Sequence, residues 1–186
     1  TVGVVALSTL FLRAFSKSSW PVLCCLWALL PIGNAFFFAH VPLARLTEEG
    51  DGMSPQQLFA SKTFWLFVLL MVASGASEQG MSQWASAFAE SALGVSKTVG
   101  DLLGPCMFSL CMGAARLFYA KRGDSISLLQ FIMLSAVLCI AAYLLVALSP
   151  VPALSLLGCA LCGLSVGILW PGVFSLASAR FPKGGT

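Results

Sequence analysis

The chain has 186 residues, 59% hydrophobic and only 9% charged, and its ten Lys and Arg against seven Asp and Glu leave a net charge of +3. Ordinary soluble domains carry about 25% charged residues, so this balance, with a mean hydropathy of +0.94, excludes a soluble domain and predicts an all-α, polytopic membrane protein. The small, dispersed positive charge excludes nucleic acid as a partner and leaves membrane lipid as the surrounding medium.

In chain order, Thr1–Phe15 is an apolar run too short for a span, which needs about 20 residues. It lacks the basic start and small-residue cleavage site of a signal peptide and no initiator Met precedes it, so it is read as the end of a helix in a longer protein. Full spans are predicted at Trp20–His40, Phe64–Leu93, Val99–Tyr119, Leu128–Leu148 and Ala153–Ala179. Short turns separate them at Arg13–Ser19, Ser91–Thr98, Ala120–Ser125 and Ser149–Pro152. The one long connection is Pro42–Ser61, with Arg45, Glu48, Glu49 and Asp51 among its polar residues. It divides the chain into residues 1–41, the end of one helix bundle, residues 42–61, a loop, and residues 62–186, a second bundle. Alternating spans put Arg45, Lys62, Arg116, Lys121, Arg122, Arg180 and Lys183 on one side and Arg13, Lys17 and Lys97 on the other. The positive-inside rule then places the loop in the cytoplasm.

The third predicted element, Phe64–Leu93, carries Glu78, Gln79 and Gln83 at lipid depth. Ionisable groups are expensive there and face a cavity or a partner helix. At about 100° per residue, Ser74, Glu78, Gln79, Ser82, Gln83, Ser86 and Glu90 share an arc of roughly 180°, which makes a transport pathway the first hypothesis. Three roles are open to Glu78: binding a solute's hydroxyl or amine hydrogens, titrating in a proton-coupled cycle, or forming a structural ion pair. Gln79 and Gln83 lie one turn apart, and with Trp84 they suit a polyhydroxylated or zwitterionic solute, because each amide both donates and accepts. Interhelical bonding is the competing reading. Trp84 also fits an interface anchor, since its angle lies away from Gln79.

Other features read mainly as packing. Gly100 with Gly104, and Gly163 with Gly167, have the four-residue spacing that lets helix backbones approach. Pro31, Pro105 and Pro171 are expected to interrupt helices, each lacking an amide donor. Asn34 then either satisfies a backbone freed near Pro31 or lines the cavity. Asp101 follows Lys97 by four residues, the spacing of a local ion pair. His40, the only histidine, sits at a helix end. All seven cysteines lie in apolar spans and read as small packing residues, and no metal-ligand set accompanies Cys159 and Cys162. Gly163–Gly167 also fits G-x-S-x-G, but an intramembrane serine hydrolase would need a sharp turn at Ser165 and a histidine base near it. No catalytic residue, metal or cofactor is assigned.

Two segments resemble a known family. Leu93 to Gly100, continuing through Gly104-Pro105 to Ala115-Arg116 and the basic run Lys121-Arg122-Gly123-Asp124, resembles the eighth helix of the major facilitator superfamily and its cytoplasmic end. Gly163 to Ser175, with the step Trp170-Pro171 and the ending Arg180-Phe181-Pro182, is similar to the tenth helix of sugar-permease-like members. The resemblance implies a partial major-facilitator fold, from the end of helix five to helix ten, in the plasma (inner) membrane. It also implies alternating-access transport of a small solute, sugar-like or another polar metabolite, with a proton or other ion as a coupling partner. Helices of the same full-length protein would complete the two bundles. Glu78, Gln79, Gln83, Trp84, Asn34 and Trp170 would then line the cavity, and Arg116, Lys121, Arg122 and Asp124 would form a cytoplasmic gate. A receptor-like or assembly protein without transport is the alternative.

Overall fold

The computed structural model describes residues 2–15, 19–41 and 53–183. Arg45, Glu48, Glu49 and Asp51 of the connecting loop, and Lys17, lie outside the described residues. Among the described residues nine α-helices follow in order: α1 Val2–Phe15, α2 Trp20–His40, α3 Pro55–Ala60, α4 Lys62–Ser91, α5 Lys97–Asp101, α6 Met107–Arg122, α7 Leu128–Leu148, α8 Pro152–Val166 and α9 Leu169–Arg180. A π-helical stretch, Leu102–Cys106, joins α5 to α6. No strand occurs among the described residues. Among the described residues, five stretches are long and apolar enough to cross a membrane: α2, α4, α5 through α6, α7, and α8 through α9. Each overlaps a span predicted from hydropathy.

Capping sets the start of α4. Ser54 opens α3 with a capping box, its hydroxyl accepting from the Gln57 amide at 3.3 Å while the Gln57 side chain accepts from the Ser54 amide at 3.1 Å. Ser61 ends that short helix and caps α4, accepting from the Phe64 amide at 3.4 Å. The end of the predicted 42–61 loop therefore holds a short helix, Pro55–Ala60.

The prolines act differently from expectation. Pro31 does not interrupt α2, which runs unbroken from Trp20 to His40. Pro105 sits within the π-helical stretch, where the wider turn accommodates the missing amide. The last span does break, but at Gly167 and Ile168, and Pro171 falls in the first turn of α9. That is where proline is tolerated, because the early amides of a helix have no intrahelical partner.

The centre of the bundle is α8. Its Ser155, Gly158, Cys159, Cys162, Gly163 and Val166 are all buried. Small residues on two faces let neighbouring helices touch its backbone. A Cβ on Gly163 would overlap the Phe108 carbonyl, and one on Gly167 would lie 2.9 Å from the Met112 carbonyl. Both contacts advance by four residues, so α6 and α8 run parallel. On the other side a Cβ on Gly158 would lie 2.7 Å from Val146, and one on Gly172 would lie 2.8 Å from Ile132. There one partner number falls as the other rises, and α7 runs antiparallel to α8 and α9. Gly104 packs on Ala85 and Gly100 on Ala89, which fixes α4 antiparallel to α5 and the π-helical stretch.

Candidate functional site

Along α4 the residues facing the bundle are Ser74, Met81, Ala85 and Ala89. At 100° per residue Glu78 lies at the middle of that seam, whereas Gln79 and Gln83 lie about 100° and 140° away. The predicted single polar face is thus divided by packing. Glu78 turns toward the neighbouring helices and is partly buried. Gln79 and Gln83 are exposed, and the Gln83 amide donates to the Gln79 carbonyl oxygen at 2.9 Å.

Glu78 meets Arg116. The Arg116 Nη2 lies 3.9 Å from Glu78 Oε2, with the side chains 47% and 24% exposed. Glu78 is 16 residues into α4, about 24 Å from its start at 1.5 Å per residue, so the pair sits near mid-helix rather than at a membrane face. Arg116 reaches it because helical side chains lean toward the N-terminus of their own helix. After the π-helical stretch α6 leaves α4 and lies on α8, while α4 itself packs along α8 and α9. The Glu78–Arg116 pair bridges the resulting wedge.

The guanidinium has a second partner. Arg116 Nε donates to the Gly167 carbonyl at 2.9 Å. In an unbroken helix that carbonyl would accept from the amide four residues on, at position 171, and proline has none. Pro171 and Arg116 are therefore two halves of one arrangement: one leaves an acceptor free and the other occupies it. This contact was missed from the sequence, although the four-residue spacing of Gly167 and Pro171 was a signal for it.

A second polar group lies where α1 meets the start of the third span. Asp101 pairs with Lys97 at 3.3 Å and accepts from the hydroxyls of Ser86 and, at 3.4 Å, Thr9. It borders a cleft of about 630 Å³ whose walls include Arg13, Glu90, Lys97 and Ser8. Glu90 lies on the same flank of α4 as Gln83, so the exposed polar stripe of α4 leads into this cleft. The Trp27 indole donates to Ser8 at 2.9 Å and ties α2 to α1. The far end of the bundle holds the contact of the Met53 amide with the Lys183 carbonyl at 2.7 Å and the Phe67–Phe181 ring pair.

The other candidates are spread out. Asn34 is exposed on α2, Trp84 on the far flank of α4, and Trp170 is exposed and stacked on Phe174. Lys121 and Arg122 lie in the last turn of α6. Arg116 is not grouped with them; it points back into the wedge, because its acceptors are there. Asp124 is in the 3-10 turn Gly123–Ser125, and its side chain lies outside the described residues. The His40 ring nitrogen bonds the Phe36 carbonyl at 2.8 Å. Ser165 is fully buried within α8 and donates to the Cys162 carbonyl at 2.7 Å, with no sharp turn at that position. Tyr143 donates to the Ser77 carbonyl at 2.8 Å. The buried Ser109 hydroxyl has no partner among the described residues. No group of three metal-ligating side chains occurs among them.

Comparisons of the chain with protein families, curated proteins and solved structures found no match. The functional reading rests on this geometry and on the sequence.

Proposed function

We propose that the chain is part of a secondary transporter of the major facilitator type, which moves a small polar solute across the plasma (inner) membrane by alternating access. In this reading α1 and α2 belong to one bundle, α4 to α9 to the other, and the loop of residues 42–61 is cytoplasmic. The observation that carries it is the Glu78–Arg116 pair: two charges at mid-helix depth, both partly exposed, bridging a wedge between α4 and α6. Charges at that depth are retained where they face a bundle interior or a water-filled cavity. Support also comes from the break at Gly167 and Ile168, since discontinuous helices at mid-membrane are a recurring way to build a solute site.

The wedge gives the rocking model a physical handle. A pair at 3.9 Å, beyond hydrogen-bonding reach, is poised to tighten or open as α4 and α6 change their separation. Arg116 would pass that change to the α8–α9 break through its bond to Gly167. The serine hydrolase reading finds no support here, because Ser165 is shut inside α8.

The test is uptake. The full-length protein, in sealed vesicles, is offered labelled sugars, amino acids and organic acids, and the Glu78→Gln variant is compared at equal expression. Accumulation of one class, lost in Glu78→Gln, is the expected result. Binding without accumulation would favour the receptor-like alternative. Undiminished uptake in Glu78→Gln would remove the pathway assignment.

A further inference from the structure

We infer that the Glu78–Arg116 pair is a recognition site for a zwitterion, a solute with an ammonium and a carboxylate on one carbon, as in a neutral α-amino acid. The inference rests on the transport reading and narrows it. Its starting point is what the pair leaves unused. Arg116 spends Nε on the Gly167 carbonyl, and its two terminal nitrogens have no hydrogen-bond partner among the described residues. A guanidinium carries five N–H donors, so four remain for a ligand. The Glu78 carboxylate likewise accepts no hydrogen bond from a described residue, although it is only 24% exposed. Arg116 is exposed and Glu78 partly buried, so the guanidinium's free donors are open to a ligand, while the Glu78 carboxylate, away from most water, has lone pairs for which no described residue supplies a hydrogen bond.

Charge balance selects among solutes. The pair is neutral overall. A carboxylate without an ammonium would satisfy Arg116 and be repelled by Glu78, and an amine would do the reverse. A hexose would bring hydroxyls to both and leave the site neutral, but would set no full charge of its own against either group. Only a zwitterion laid alongside the pair sets carboxylate against guanidinium and ammonium against carboxylate, with the site still neutral at a depth where net charge is costly. The two charged groups of an α-amino acid sit on one carbon, a spacing of the same order as the 3.9 Å between Nη2 and Oε2. The fixed Nε bond holds the guanidinium plane, so its terminal edge is presented for a two-point grip on a carboxylate.

Two readouts separate this inference from the transport reading. Thermal stabilisation of the purified full-length protein is measured with neutral α-amino acids, α-hydroxy acids such as lactate, primary amines and hexoses. Counterflow into proteoliposomes is measured with the same four sets. The expected result is stabilisation and uptake by the amino acids alone, with Arg116→Lys raising the KM about tenfold and Glu78→Gln losing about tenfold in affinity. Arg116→Lys keeps the charge but loses both the planar grip and the Nε bond to Gly167, so the melting temperature falls in either case, and a purely structural role would leave KM and selectivity unmoved. Amino acids that stabilise the protein without accumulating would uphold the site and refute transport. Uptake of hexoses, hydroxy acids or amines in preference would uphold transport and overturn the inference. If none of the four sets stabilises the protein, the inference is also overturned.

Discussion

Replacing Gly163 by alanine tests the packing that places Arg116 in the wedge. An added Cβ would overlap the Phe108 carbonyl and lie 2.7 Å from its carbon and 2.8 Å from its Cα. All three are backbone atoms of α6, which cannot rotate aside as a side chain would, so the two helices must separate. Overpacking of this kind costs roughly 3 kcal/mol, the upper end for an added methyl. Alanine returns about 1 kcal/mol of helix propensity relative to glycine, leaving a net loss of about 2 kcal/mol. At about 2–4 °C per kcal/mol for a chain of this size, the melting temperature should fall by roughly 4–8 °C. The control is Gly113→Ala in α6, where a Cβ would meet nothing within 4 Å and about 0.5–1 kcal/mol of stabilisation is expected. Both are measured by thermal unfolding in the same detergent. Gly163→Ala as stable as Gly113→Ala would refute the backbone contact between α6 and α8, and with it the placement of Arg116 against Gly167.

Arg116→Met should cost about 1–3 kcal/mol by stranding the Gly167 carbonyl, and about 1 kcal/mol less in a Pro171→Ala background, where residue 171 regains an amide to offer it; a double-mutant cycle on unfolding free energies reads the difference, and zero coupling would dissociate the two residues. Asp101→Ala should loosen α1 at a cost of about 1–2 kcal/mol, mostly from the Ser86 and Thr9 bonds because Lys97 is solvated. Faster hydrogen exchange confined to α1 is the expected signature, and unchanged exchange there would show that Asp101 does not anchor it.

Hydropathy and length alone determined that the described residues are helical, with five stretches able to span a membrane, and they placed those stretches to within a few residues. The reason is physical: in lipid the backbone must satisfy itself locally, so an apolar run of sufficient length becomes a helix wherever it lies. The paired glycines were also legible, since Gly100, Gly104, Gly163 and Gly167 all lie at close approaches. Which helices approach was not, because a small residue says only that something comes near. The tertiary arrangement put α8 at the centre, with α6 parallel to it and α7 antiparallel. It also divided the stripe on α4, turning Glu78 inward and leaving Gln79 and Gln83 exposed, a choice of a few tens of degrees in helix rotation that helical periodicity does not set. Arg116 shows the limit most clearly. By its position near the end of α6 it belongs with Lys121 and Arg122, yet a freed carbonyl at Gly167 and a carboxylate at Glu78, 51 and 38 residues away in sequence, draw it inward. Long-range electrostatic partners are chosen by packing, and packing is what a linear pattern does not contain.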